Sequence, residues 1–495
     1  MAAGNISGCH FFINLLENDR KISEIVKGDG SVSTKELTKT AAARQKKLDP
    51  NGLIYALKNG GPVIWLSCLV MGLSHFAVGQ FIKGLIFLAI EVAFIAYMIA
   101  EGGGLHWLSL LPSLGDRVTE EVWNDDLGVY EYVQGDNSQQ ILLYAVATMV
   151  ALGVFIVIWR SSLCSGYKGL RIKKSGKKVP TFIDDVRGLF DENIHKLLMF
   201  TPFTMLLIFT VVPLVYMMLM AFTNYSKVDN HLILFDWVGL DNFISLFDKS
   251  SALGRQFFPV LKWTVIWAFF ATFLNFFAGT IMAMIINRPS TKFKGFWRTV
   301  LSLTIAVPQF VSLLIIRTMF KSEGAVNQLL MNWGLIEKAL PFFTDALWAK
   351  VTIIVINCWV GIPYPVMSVT GILQNIPAEQ YEAARIDGAN TFQQFMNVTL
   401  PYMIFVMTPQ LISSFTGNIN NFHIIYLLSG GGPTYIGDSA GQTDLLVTWL
   451  YKLTIDNQEY NLAAVIGIMT FIVLATVALL TYRNSGSYKD EEGFK

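Results

Sequence analysis

Long apolar runs separated by polar intervals dominate the chain. They lie near residues 82–100, 140–160, 197–222, 263–286, 297–319, 346–372, 402–428 and 462–482, and a weaker, glycine-interrupted run lies near 62–79. A helix needs about 20 apolar residues to cross roughly 30 Å of hydrocarbon, so the eight strong runs predict membrane spans. Composition agrees: 53% of the 495 residues are hydrophobic and only 15% charged, for a mean hydropathy of +0.47. The expected fold class is all-α, a polytopic membrane helical bundle, because only helices or closed barrels satisfy their own backbone in lipid.

The polar intervals set the orientation, since Lys/Arg-rich loops stay in the cytoplasm. Residues 160–196 hold nine Lys/Arg, including Lys173, Lys174, Lys177 and Lys178, whereas 101–139 hold only Arg117 against eight acids, among them Glu120, Glu121, Asp125 and Asp126. The first stretch is therefore cytoplasmic and the second faces outward. Walking forward places 223–262, 320–345 and 429–461 outside, and 287–296, 373–401 and the C-terminal tail inside. The N-terminal tail also carries nine Lys/Arg, which is inconsistent with counting 62–79 as a full span. The run therefore reads as a re-entrant or half-crossing segment, interrupted by Gly72, His75 and Gly79, with the tail inside; the alternative is nine spans with the tail outside.

Charge and cysteine add mainly exclusions. A net charge of +1 gives no long-range field for nucleic acid or an anionic substrate. Cys9, Cys68, Cys164 and Cys358 are scattered without C-x-x-C spacing, so neither disulfides nor metal sites are expected. No apolar stretch followed by a cleavage site opens the chain, so no cleavable signal peptide is expected. No G-x-x-x-x-G-K-[ST] loop occurs, so nothing here cradles ATP. Of the charges within runs, Glu91 sits mid-run and Arg317 near an outer end where it can snorkel. A lone acid makes a poor proton relay, and structural roles are expected for both.

The cytoplasmic stretch 375–401 spells out a short helix. Pro377 suits its first turn, Glu379 and Glu382 favour its positive end, Ala383 and Ala384 are strong formers, and Gly388 supplies a left-handed stop. A second helix is predicted from a Thr391/Gln394 capping box, with Phe392, Phe395, Met396 and Val398 as its apolar face. The pair reads as a helix-turn-helix elbow at the membrane surface.

Glu382-Ala383-Ala384, Asp387-Gly388-Ala389, Phe395 and Thr399-Leu400-Pro401 resemble the EAA loop of binding-protein-dependent ABC importer permeases. Asn357 to Tyr364 before it, and Asn418 to Phe422 with Gly430 to Pro433 after it, are similar to the larger subunit of the maltose/maltodextrin branch. The resemblance covers roughly 197–482. It implies a type I importer transmembrane domain in the bacterial cytoplasmic membrane, with a cytoplasmic tail at 1–60, a membrane extension and basic loop at 61–196, a six-span core at 197–482 and a second tail at 483–495.

In that family the elbow is a coupling helix docked on the ATPase. The resemblance thus implies coupling roles for Glu382, Ala383, Ala384, Asp387 and Gly388, with Glu382 making the charged contact. It implies no catalytic residue and no cofactor in this chain, ATP-Mg being bound by a separate ATPase dimer. The other implied partners are a second permease subunit, an extracytoplasmic sugar-binding protein, the sugar itself and membrane lipid, with no nucleic acid.

Polar residues inside the runs are the second signal, since unsatisfied polar groups are expensive in hydrocarbon. Asn357 and Tyr364 share one run. Ser414, Asn418 and Asn421 share another and, spaced four and three apart, predict one helical face. Such a face serves either interhelical hydrogen bonds or a sugar, whose hydroxyls pair with amides while its flat side stacks on a ring. By resemblance, Asn357, Gly361, Tyr364, Ser414, Asn418 and Asn421 match the sugar-site positions. Two departures stand out: Gly417 replaces an aromatic, and 223–262 is too short for the large outward domain of some relatives. Maltodextrins are the favoured cargo, with galacto-oligosaccharides and other short glucans as competitors. The alternative class is an ion-coupled secondary sugar transporter, whose marks of paired intramembrane acids and broken helices are weak or absent in the sequence.

Overall fold

A computed structural model describes residues 52–115, 120–124, 129–133, 135–227, 231–288 and 290–484. Most of both tails, with Cys9, and Arg117, Asp125 and Asp126 lie outside the described residues. Two compact units emerge, one running up to Gly103 and including Met149–Pro202, the other comprising Gly104–Thr148 and Phe203 onward.

In the first unit, α1 (Leu53–Asn59), α2 (Gly61–Leu69), α3 (Leu73–Val78) and α4 (Phe81–Ile99) precede the helix that ends at Lys174. Helices of nine and six residues, broken at Gly72 (φ 91°), are too short to cross a bilayer at 1.5 Å per residue. Their contacts show that they turn back. Tyr55 meets Tyr167, the Cys68 carbonyl accepts from Trp159 Nε1 at 3.1 Å, and His75 Nε2 lies 3.3 Å from Ser165 Oγ. The Ala77 carbonyl then accepts from Lys173 Nζ at 2.7 Å. The segment therefore enters and leaves at the basic end of that helix, which is the re-entrant arrangement. Glu91 caps the turn: its Oε2 accepts the Met71 N–H at 2.7 Å with only 7% of Glu91 exposed. It is the structural acid expected, with a backbone donor as its partner.

The second unit begins with α5 (Gly104–Leu110) and a two-stranded antiparallel sheet, β1 (Glu120–Asn124) and β2 (Val129–Val133). This sheet qualifies the all-α expectation: Val, Tyr and Trp side chains favour strands, and the stretch is too polar to span. α6 (Ser138–Lys174) gives its first turns to this unit and the rest to the first, which also holds α7 (Phe182–Phe190); α8 (Ile194–Met220) starts there and passes into the second. Then come α9 (Asp241–Phe247), α10 (Ala252–Asn287), α11 (Lys294–Ala306), α12 (Gln309–Met319), α13 (Ala325–Asn332), α14 (Ala346–Gly361) and α15 (Pro363–Asn375). They are followed by α16 (Ala378–Ile386), α17 (Thr391–Ile419), α18 (Phe422–Leu428), α19 (Leu446–Ile455) and α20 (Tyr460–Asn484).

All eight strong runs correspond to a helix or helix pair long and apolar enough to span. Two spans are broken, by 88° between α11 and α12 and by 45° between α14 and α15. Pro308 and Pro363 stand at these breaks, where a missing N–H and a ring clash interrupt the ladder. Broken helices, expected to be weak or absent, are therefore present. A further correction concerns 402–428: the span starts at Thr391 and ends at Ile419, with α18 a separate helix. The second elbow helix is thus the first turn of the span itself. Its cap is Asn390 with Gln393, one residue before the predicted Thr391/Gln394 box. Phe392 and Met396 on its apolar face are exposed.

Helix α10 is the central element, with 44% of its apolar window buried against 6% for α8. Lipid supplies little hydrophobic drive between helices, so close packing and interhelical hydrogen bonds hold such a bundle. Trp263 and Trp267 of α10 pack with Ile353, Ile356, Ile424 and Leu428. Another cluster joins Leu142 and Val146 to Trp449 and Ile466, so 104–148 packs with the later spans rather than with the rest of the N-terminal extension. The Asp236–Phe243 segment packs against the end of α8: Asn242 Nδ2 donates to the carbonyls of Ala221 (2.9 Å) and Thr223 (2.7 Å).

Candidate functional site

Midway along α10 the ladder widens into a π-helical turn at Phe270–Leu274, a defect frequent at functional sites. Helices α14 and α17 both pack against it, bringing the two predicted sugar-site runs to one place. On the α17 side, Asn418 Nδ2 donates to Thr272 Oγ1 at 3.0 Å and the Asn418 carbonyl accepts from Trp267 Nε1 at 3.1 Å. On the α14 side, Gly361 approaches Asn275 so closely that a Cβ there would lie 2.2 Å from Asn275 Nδ2. Asn275 Nδ2 donates to the Ala271 carbonyl at 2.8 Å. Asn357 Nδ2 and Asn275 Oδ1 are buried without a partner, and buried amides usually find one in protein, water or ligand.

Where the two broken spans kink, a cavity of about 280 Å³ opens, lined by Thr304, Pro308, Gln309, Ser312, Trp359 and Tyr364 among others. Trp359 and Tyr364 are 64% and 56% exposed, so their rings face open space rather than core. Uncharged hydrogen-bonding groups beside exposed rings suit a neutral, hydroxyl-rich ligand.

Of the predicted residues, Tyr364 lines the cavity, Asn357 is 3% exposed within α14, and Gly361 ends that helix against Asn275. Ser414 is exposed on α17. The single helical face drawn through Ser414, Asn418 and Asn421 does not form, because α17 ends at Ile419 and Asn421 caps α18 by accepting from the Ile424 N–H at 3.3 Å. Asn418 and Asn421 meet across that break, Asn421 Nδ2 donating to Asn418 Oδ1 at 3.3 Å. Thr272, Asn275, Gln309, Ser312 and Trp359 were not singled out. Thr272 and Asn275, polar and three apart in an apolar run, carried the signal.

The other predicted set sits on α16, which Pro377 starts and Gly388 (φ 77°) stops. Glu382, Ala383, Asp387 and Gly388 are exposed and Ala384 is half-buried; Ile386 is 86% exposed. Tyr381, on the opposite side, places its hydroxyl 2.9 Å from that of buried Thr399 in α17. The helix is thus tied to a span while its face is free for another chain.

The Gly430–Pro433 motif belongs to a loop built on Asp444, which is fully buried. Its carboxylate accepts from Lys452 Nζ (2.6 Å), the Gly441 N–H (2.6 Å) and Thr448 Oγ1 (2.8 Å). A Cβ on Gly431 would lie 1.9 Å from Asp444 Oδ1, so that position requires glycine. Burial pushes the Asp444 carboxyl above the usual range despite these donors.

Broken spans around an uncharged cavity with a few hydrogen-bonding groups, a bulged central helix and an exposed helix between two spans define a multi-pass membrane permease. The comparisons refine this. Residues 275–486 match the model of the binding-protein-dependent transport system inner membrane component family. A galactooligosaccharides transport system permease protein of Bacillus subtilis is 34% identical over 435 residues, 87% of this chain and 99% of that one. A maltodextrin transport system permease protein of Streptococcus pneumoniae is 32% identical over 441 residues, 86% and 96% of the two chains. The fold is shared with a bacterial alginate ABC transporter solved in complex with an alginate pentasaccharide-bound periplasmic protein. There the TM-score is 0.50 at 22% identity, covering 60% of this chain and 95% of that chain. The chain belongs to the family of binding-protein-dependent transport system inner membrane components.

Proposed function

We propose that this chain is one of two membrane-spanning subunits of an ATP-driven importer of a neutral oligosaccharide, with maltodextrin the first choice of cargo and galacto-oligosaccharide the second. The uncharged cavity with two exposed rings at the paired helix breaks carries this reading, and the names of the relatives support it. Asn357, Gly361, Tyr364, Ser414, Asn418 and Asn421 contribute to the sugar path. The face of α16 around Glu382, Ala383, Ala384, Asp387 and Gly388 docks on a separate ATPase dimer that binds ATP-Mg, and the loops on the opposite side of the membrane receive a sugar-binding protein. ATP binding closes the cytoplasmic side and opens the path outward; hydrolysis resets it.

The test is uptake of labelled maltotriose and of a labelled galacto-oligosaccharide in cells lacking this chain, complemented with wild type or Gly388→Asp. Gly388 has nothing within 4 Å of a built Cβ, so the substitution costs only the left-handed backbone strain of about 1–2 kcal/mol and the chain still assembles. Wild type restores uptake of one sugar and the variant, at normal membrane levels, does not. Equal uptake by both would remove the coupling role from α16; uptake of neither sugar with wild type would remove the cargo assignment.

A further inference from the structure

Helix α7, in the basic stretch after α6, is absorbed by none of the roles above. Its apolar residues Phe182, Ile183, Val186, Leu189 and Phe190 fall at i, i+1, i+4, i+7 and i+8, which makes one continuous stripe. None is buried, and Ile183 and Phe190 are 60% and 65% exposed. The other side carries Asp184, Asp185 and Arg187. A reciprocal Thr181/Asp184 capping box fixes where the helix starts.

Two contacts fix where it sits, and a third ties α6 to the same end of the unit. Asp185 pairs with Lys83 of α4 at 2.8 Å, the Pro180 carbonyl accepts from Gln80 Nε2 at 2.7 Å, and Lys173 of α6 reaches the Ala77 carbonyl at 2.7 Å. All lie in one unit, at the end where α4 enters the bilayer and α6 leaves it. An exposed apolar stripe tied to the first turn of a span stands at headgroup depth, where amphipathic helices bury their apolar side. Lys174, Lys177 and Lys178, also exposed, add positive charge immediately before it, complementary to acidic lipid.

We propose that α7 is an interfacial helix that seats its stripe in the leaflet at the basic end of α6, and that Lys174, Lys177 and Lys178 select anionic headgroups there. The test uses the full-length chain in a cysteine-free background with an environment-sensitive dye at Phe190→Cys or Arg187→Cys, reconstituted in phosphatidylcholine vesicles with or without phosphatidylglycerol. The dye at 190 is quenched by nitroxides on the lipid chains and the dye at 187 by aqueous iodide. Phosphatidylglycerol deepens the quenching at 190, and replacing the three lysines by Gln weakens that enhancement, each lysine counting about fivefold in the equilibrium between the seated and unseated helix. Iodide quenching at 190 in both vesicles would overturn the proposal. So would shielding of 190 from both quenchers, the signature of a protein covering the stripe, or a response indifferent to phosphatidylglycerol.

Discussion

Replacing Gly361 by alanine tests the junction that brings the two halves of the candidate path together. The new methyl carbon would stand 2.2 Å from Asn275 Nδ2 and 2.8 Å from its Cγ, well inside van der Waals contact, so the Asn275 side chain must move. Asn275 is only 8% exposed and donates to the Ala271 carbonyl within the π-turn. Moving it strands a buried donor and a carbonyl, for about 1–3 kcal/mol, and the overpacking itself costs a similar 1–3 kcal/mol. The expected outcome is a destabilised subunit, by about 2–6 kcal/mol in all, with impaired sugar uptake at equal membrane levels. The diagnostic assay is a double-mutant cycle with Asn275→Ala, read by denaturation midpoint in detergent and by uptake. Removing the Asn275 side chain removes the collision, so Gly361→Ala adds little in that background. If it is as damaging beside Asn275→Ala as it is in the wild-type chain, the collision is not the cause and the π-turn contact does not organise the site.

Other outcomes follow from single contacts. Glu91→Gln keeps an acceptor for the Met71 N–H and should transport like wild type, whereas Glu91→Leu strands that donor and lowers stability by about 1–3 kcal/mol; a transport defect in the Gln variant with normal stability would give the acid a proton role instead. Lys452→Met leaves the Asp444 carboxylate buried and unpaired, at about 3–5 kcal/mol. Burial raises the folded carboxyl above its unfolded value, so its contribution is favourable below the unfolded value and is lost as pH rises through the folded one. The Lys452→Met deficit should therefore shrink on acidification in a detergent unfolding assay, and a pH-independent deficit would contradict this. Gly417, where a Cβ meets nothing within 4 Å, should accept Phe without loss of stability while shifting preference between maltotriose and galacto-oligosaccharide in competition uptake; an unchanged preference would place the position off the sugar path.

Much of this protein was legible in its sequence. Hydrocarbon thickness sets how many apolar residues a span needs, so the eight runs gave the spans directly. The α16 helix followed from local rules, Pro377 at its start and Gly388 at its stop, because the backbone chemistry of helix ends acts within a few residues. What the pattern did not carry were breaks and partners. Asn420 and Asn421 sit in an otherwise helical spacing, yet the helix ends at Ile419 and Asn421 caps the next one. The turn at Met71 depends on a carboxylate 20 residues away, and the candidate site depends on Asn418 meeting Thr272 across 146 residues. Periodicity states which residues prefer the interior of a bundle. Which polar atoms become neighbours there is decided by how the helices pack, and only the tertiary structure holds that.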